Sequence, residues 1–399
     1  MNCPSRIYFD VTVDRHPESV KVAIVAESFL PHFNGVTNSI LKTLDHLALT
    51  GHDAVVITPA GSLTGELTGH GVPKHYRGFR IHTVPSMPLA SYPEVRVATT
   101  SVGRLRKILA RERVDVVHLA SPFILGWQGL RAAQEMNLPT VALYQTEVPN
   151  YASRYKMPWL TQRLWEHVQA IHTAADLSLV PSTFSFQQLK NLGIDRLKIS
   201  GRGVDTVQFT PQRRSEHFRQ AVAPNGEVII GYVGRLAAEK QVADLKALAD
   251  LKNTRLVIVG SGPLEAELRA VLPTAHFTGF LSGERLAEVM ASMDVFVHPG
   301  SSETFCQTIQ EAMACGVPVV AVGRGGPLDL VDSSHTGWLY QPGNLTELRS
   351  RVSDLVYDDA KRLAFASAAL ASVQGRSWFN IGEQLIDHYQ FVRMARISR

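Results

Sequence analysis

Cysteine is scarce in this chain: Cys3, Cys306 and Cys315 are the only three among 399 residues. An odd number, with two of them in one expected helix, excludes a disulfide framework and points to a reducing, cytoplasmic setting. Cysteine and histidine are nowhere clustered at ligand spacing, so no metal is expected. Long apolar runs and low-complexity tracts are missing too, which argues against a bilayer-spanning or largely disordered chain. The N-terminal segment carries Asp10, Asp14, Arg15 and Glu18 in place of an apolar stretch, so it does not read as a secretory signal. A large excess of one charge is also absent. The net charge of +4 and pI near 8.9 fall short of a nucleic-acid binder, although they are compatible with attraction to an anionic membrane surface. What remains is 45% hydrophobic and 19% charged residues, a globular balance, in a chain too long for one ordinary core.

Short runs rich in valine and isoleucine alternate with longer helical stretches. Strands are expected at Val20–Ala26, Ala54–Thr58, Arg80–Val84, Val114–Leu119, Thr140–Tyr144 and Leu177–Val180. A second series follows at Val228–Val233, Arg255–Val259, His276–Thr278, Val295–His298, Val317–Val322 and Trp338–Tyr340. Their apolar residues are continuous rather than alternating, as in strands covered by helices on both faces. Two such series imply an α/β chain of two doubly wound, Rossmann-like domains, at 20–205 and 213–374, with the break at Gly201–Asp205, Pro211 and the charged run Arg213–Arg219. A last helix, 378–396, is expected to pack back across the junction. Ligands of open α/β sheets bind beyond the carboxyl ends of the strands, which places the site in the cleft between the domains.

The most informative segment runs from Ser301 to Pro318. Ser301 or Ser302 can cap a helix that Gly316 and Pro318 stop. Glu303 would then stand at its mouth and Glu311 about two turns further in. Two carboxylates so placed can each accept bonds from a vicinal diol, or can be a capping residue and a solvated one. Arg235 at the end of a strand and Lys240 just after it can hold a diphosphate, helped by a helix amino terminus, or can form a surface pair with Glu239. Gly260-Ser261-Gly262-Pro263 lacks the third glycine of a dinucleotide fingerprint, which disfavours hydride transfer. Gly35 allows close backbone approach to an anion, or is a plain turn glycine. His118, in the run Asp115-Val116-Val117-His118, either faces the cleft from a strand end or is a core residue.

Taken in order, Gly35, His118, Gly203-Val204-Asp205, Val233-Gly234-Arg235, Glu239-Lys240 and the Glu303/Glu311 pair resemble glycosyltransferase family 4 over nearly the whole chain beyond residue 20. The resemblance implies GT-B architecture and a retaining, metal-independent enzyme, its nucleotide-sugar donor held by the second domain and its acceptor by the first. By position, Arg235 and Lys240 would hold the diphosphate, Glu311 the ribose, and Glu303 the transferred sugar together with amides near Phe305 and Cys306. His118 would lie at the reacting centre and Gly35 would reach the phosphate. The stretch Tyr144–Tyr155 is similar to diacylglycerol-glycosylating enzymes, including sulfoquinovosyl transferases, and nominates Tyr144, Thr146, Glu147 and Arg154 on the acceptor side. Val117–Pro122, Arg202–Asp205 and Glu303–Gln307 are closer to actinobacterial GDP-mannose-dependent alpha-mannosyltransferases. That implies mannose transfer from GDP-mannose to a lipid acceptor such as glucuronosyl diacylglycerol. A UDP-sugar-dependent transferase and a catalytically silent sugar-nucleotide module stay open beside it. Three residues depart from the wider pattern: Cys306 for glycine, Arg202 for asparagine, and Glu147 for a histidine of the sulfoquinovosyl relatives.

A lipid acceptor requires peripheral contact with the inner face of the plasma membrane. Arg104, Arg106, Lys107, Arg111 and Arg113 crowd one helix among leucines, and Arg154, Lys156 and Arg163 mix with Tyr151, Tyr155, Trp159 and Trp165. Basic faces with interfacial side chains suit an anionic surface, and equally suit a solvated helix.

Overall fold

The computed structural model describes residues 19–32, 34–61, 71–89, 92–147 and 158–397. The first half supplies β1 (Lys21–Ala26), β2 (Asp53–Pro59), β3 (His75–Tyr76), β4 (Phe79–Val84), β5 (Ser86–Leu89), β6 (Tyr92–Ala98), β7 (Val116–Ala120), β8 (Thr140–Leu143), β9 (Leu177–Val180) and β10 (Leu197–Ile199). The second half supplies β11 (Val228–Val233), β12 (Thr254–Val259), β13 (His276–Gly279), β14 (Val295–His298), β15 (Val319–Val322) and β16 (Gly337–Tyr340). Among the described residues, eight strands form one sheet in the order β10-β9-β8-β7-β1-β2-β4-β3, and six form another, β13-β12-β11-β14-β15-β16. All neighbours are parallel except β3 and β4, and β5 and β6 form a separate antiparallel pair. Every residue of β7, β9, β14 and β15 is buried, because helices cover both faces.

The strand order creates two crevices. β1 is flanked by β2 on one side and β7 on the other, and β11 by β12 and β14. Connections diverge at these points, so the loops after β1, β7, β11 and β14 open around a gap at the carboxyl ends of the strands. The chain crosses between the domains twice, and the crossings lie side by side: Val204 pairs with Ser377 as a parallel bridge, and Val204 N donates to Arg376 O at 2.8 Å. A Cβ on Gly203 would come within 2.4 Å of the Trp378 backbone, so the close approach requires glycine there.

The closing helix, Trp378–Ile397, then returns to the first domain. Its Leu385, Ile386, Tyr389 and Val392 are buried with Ile24, Ile40, Leu44 and Val141. Among the described residues no helix is long and apolar enough to cross a membrane. On helix Val102–Glu112 the leucines Leu105 and Leu109 belong to the core. The exposed face therefore carries Arg104, Arg106, Lys107 and Arg111 without the interfacial apolar side chains expected beside them.

Candidate active site

The loop after β14 does not begin the helix where its serines suggest. The helix spans Gln307–Ala314, and its N-terminal neighbour Cys306 has φ +77° and makes no capping bond. Ser301 instead bonds Gln241, its amide donating to Oε1 at 2.9 Å. Glu303 therefore lies in the loop, and only Glu311 is on the helix. Two clamps impose this path. Lys240 and Gln241 hold one side, and Gly325-Gly326 pack on the other, with Gly326 N donating to Glu303 O at 2.8 Å. A Cβ on Gly326 would fall 2.1 Å from Phe305 O, which leaves no room for another residue.

The result is a compact charged cluster. Lys240 Nζ donates to Glu303 Oε1 at 2.5 Å, and His298 Nε2 lies 3.1 Å from the same oxygen. Burial alone would raise the Glu303 pKa, but Lys240 and His298 overcome it and hold the carboxyl down at about 2. Burial opposes charge on His298 as well, yet the Cys306 sulfur and the Glu303 carboxylate lift it to about 9. Phe305 and Cys306, buried at the end of this loop, wall the cluster. Arg235, at the end of β11, has a half-exposed side chain, its Nη1 3.7 Å from Glu239. The expected surface pair thus exists but is loose. Glu311 is buried, and desolvation pushes its carboxyl up to about 8 against the pull of Gln307, Lys42 and Arg202.

His298, Glu303 and Cys306 also bring three metal-capable atoms within 4.8 Å of one another. Sequence spacing missed this cluster, because His298 ends a strand and Cys306 lies beyond a folded loop. The Lys240 ammonium already sits on its carboxylate.

On the other wall, Gly35 opens helix Gly35–Leu49. Asn34 Oδ1 accepts from the amides of Val36 and Thr37, each at 3.0 Å, while the exposed Gly35 amide has no acceptor among the described residues. Tyr144 and Glu147 are buried and joined through Gln188: Tyr144 Oη donates to Gln188 Oε1 at 3.2 Å, and Gln188 Nε2 donates to Glu147 Oε1 at 2.6 Å. Thr146 Oγ1 accepts from Ser121 at 2.9 Å, beside the end of β7. Arg154 lies outside the described residues, as do Tyr151, Tyr155 and Lys156.

His118 is not where a reacting group would be. It pairs with Ile24 and Val141 in mid-strand, two residues short of the end of β7, and is 1% exposed. Its Nδ1 lies 2.5 Å from Tyr389 Oη of the closing helix, and burial depresses its pKa to about 3. It is a neutral core residue, separate from the charged cluster, because the apolar run around it extends past it to Ala120. Arg202, noted in the sequence only as a departure, does enter the cleft.

The second domain thus gathers cations and carboxylates after β11 and β14, and the first presents an open helix N-terminus after β1. The comparisons agree on the chain's kind. Residues 33–208 match the model "Glycosyltransferase Family 4", and residues 213–371 match "Glycosyl transferases group 1". The chain is 45% identical over 386 residues to the GDP-mannose-dependent alpha-mannosyltransferase of Mycobacterium tuberculosis, covering 95% of this chain and 99% of that one. Its counterpart in Mycolicibacterium smegmatis is 46% identical, covering 95% and 100%. The sulfoquinovosyl transferase of Arabidopsis thaliana is 31% identical, covering 91% and 72%. Among solved structures, sucrose-phosphate synthase from Thermosynechococcus elongatus superposes with a TM-score of 0.78 at 20% identity, covering 94% and 100%. Anabaena HepE in complex with UDP-glucose gives 0.73 at 21%, covering 93% and 99%. The chain has the GT-B fold and belongs to glycosyltransferase family 4; it is a glycosyltransferase.

Proposed function

We propose that this chain transfers mannose from GDP-mannose, with retention, to a membrane glycolipid acceptor such as glucuronosyl diacylglycerol. The observation that carries the chemistry is the Lys240–Glu303–His298 cluster, with Arg235 five residues before its lysine. Arg235 and Lys240 receive the diphosphate and offset the charge that develops on the departing phosphate, so no metal is required for that step. Glu303 and the amides of Phe305 and Cys306 hold the sugar, Glu311 the ribose, and the Gly35 amide a phosphate oxygen. Tyr144, Thr146 and Glu147 serve the acceptor side, and the resemblance adds Arg154 to them. The names of the mycobacterial relatives support the donor. Docking is electrostatic, through the exposed arginines of helix Val102–Glu112 on an anionic leaflet at the cytoplasmic side.

The test is a thermal-shift panel of nucleotide sugars with and without EDTA, followed by mannose transfer into lipid vesicles. GDP and GDP-mannose should raise Tm regardless of EDTA, and Lys240→Ala should lower kcat by about a hundredfold or more. A rise with UDP-sugars alone would overturn the donor. Unchanged turnover in the variant would remove Lys240 from the diphosphate.

A further inference from the structure

Arg202 is held from both domains. The second domain fixes its backbone: Gln310 Nε2 donates to Arg202 O and Gln307 Nε2 to Gly203 O, each at 2.9 Å. The first domain fixes its guanidinium: Nη2 donates to Gln145 Oε1 at 2.8 Å and Nη1 to Gly35 O at 3.3 Å. Both acceptors are neutral. Among the described residues no carboxylate lies within ion-pair distance of this arginine. Loss of hydration lowers its pKa to about 10, with Glu303, Cys306 and Glu311 supporting the charge from further away.

A bridge between two neutral oxygens does not need a cation. Glutamine could make it without the desolvation cost that a partly buried guanidinium carries. Arginine has five N–H donors in a fork that matches a phosphate or carboxylate, and these two contacts leave some of them over. The position is also specific. A Cβ on Gly35 would come within 3.3 Å of Arg202 Nη1, so the guanidinium rests against the N-terminus of a 15-residue helix whose first amide has no acceptor among the described residues. A helix start and a cation side by side form a receptor for an anion.

We propose that Arg202 is a substrate-binding residue, which with the Gly35 amide receives an oxyanion where the two domains meet. This goes beyond the diphosphate contacts of Arg235 and Lys240 and rests on the reading of the cleft as the transfer site. Two sources can supply the oxyanion: the diphosphate of the donor, or the acid of an acceptor headgroup.

The experiment compares the wild type with Arg202→Gln and Arg202→Lys, with Tm recorded for each. Calorimetry measures GDP against guanosine, and transfer kinetics in vesicles compare glucuronosyl with glucosyl diacylglycerol. If the diphosphate is the anion, Arg202→Gln should weaken GDP at least tenfold and leave guanosine unchanged. If the acceptor acid is the anion, GDP binding should hold while the preference for the uronosyl acceptor is lost. In either case Arg202→Lys should recover part of the effect. Wild-type GDP affinity together with a wild-type acceptor preference in Arg202→Gln would overturn the proposal. So would a Lys variant as impaired as the Gln variant at equal Tm. A wild type that binds UDP and not GDP would defeat the GDP-mannose reading alone, and the same comparison is then made with UDP against uridine.

Discussion

Three groups of the cleft have pKa values displaced from the ordinary, each with its own sign. The Glu311 carboxyl, at about 8 in the folded chain against an ordinary 4.5, keeps a proton that the unfolded chain releases. Stability therefore falls as pH rises through that window. His298, raised from 6.5 to about 9, contributes fully below 6.5 and loses its contribution as pH rises through 9. Glu303, lowered from 4.5 to about 2, contributes above 4.5 and loses its contribution as pH falls toward 2. Between pH 6.5 and 8 the first two act together, and from 8 to 9 His298 continues alone. Tm of the ligand-free protein should decline across that range, and Glu311→Gln, a permanently neutral mimic, should flatten part of the decline. The variant should melt on the order of 2 °C above the wild type at pH 9. Equal slopes for the two proteins would mean that Glu311 is already ionised at neutral pH.

At the scale of elements, the closing helix meets the first sheet at a fully buried polar pair, His118 with Tyr389, beside partly buried links from Arg396 to Leu138 O and Asp176. Tyr389→Phe strips the hydrogen bond from a buried imidazole and should cost about 1–3 kcal/mol, measured by urea unfolding. Replacing both partners, as His118→Leu with Tyr389→Phe, should recover much of that loss and keep kcat, because neither side chain touches the charged cluster. A fall of a hundredfold in kcat with stability intact would return His118 to the chemistry. The same elements show what could be read from the chain. Parallel strands announce themselves as continuous apolar runs, and twelve strands lie within about two residues of the ends of such runs. β3, β5, β6 and β10 lack such a run, and the sequence pattern does not mark them. The Ser301 and Ser302 caps misled, since local propensity yields where a lysine and a glycine pair clamp the loop. Depth misled for His118: a run marks a strand, while its distance from the cleft depends on a helix more than two hundred residues later.

At the scale of the molecule, the paired crossings at Val204 and Ser377 form a narrow joint, and a separate set of contacts joins the domains elsewhere. Asp329, on the short helix Pro327–Leu330, accepts from the amide and hydroxyl of Thr183 at the start of helix Thr183–Asn191. Arg324 lies over the Phe184 ring at 5.7 Å, and Thr304 Oγ1 donates to Gln145 O at 2.8 Å. A carboxylate at a helix N-terminus contributes roughly 0.3–1 kcal/mol when exposed, and the accompanying bonds about 1 kcal/mol each. That is enough to bias a domain equilibrium without locking it. Asp329→Ala should therefore shift the ligand-free protein toward a more open form. Small-angle scattering should show a larger radius of gyration for the variant, and saturating donor should bring it back toward the wild-type value, because the ligand supplies closure contacts of its own. The donor KM should rise severalfold with kcat little changed, since the contact biases the population that binds and touches no reacting atom. If the radius of gyration were the same in both proteins without ligand, closure would be set at the Gly203 joint, and the domain contact would follow from it.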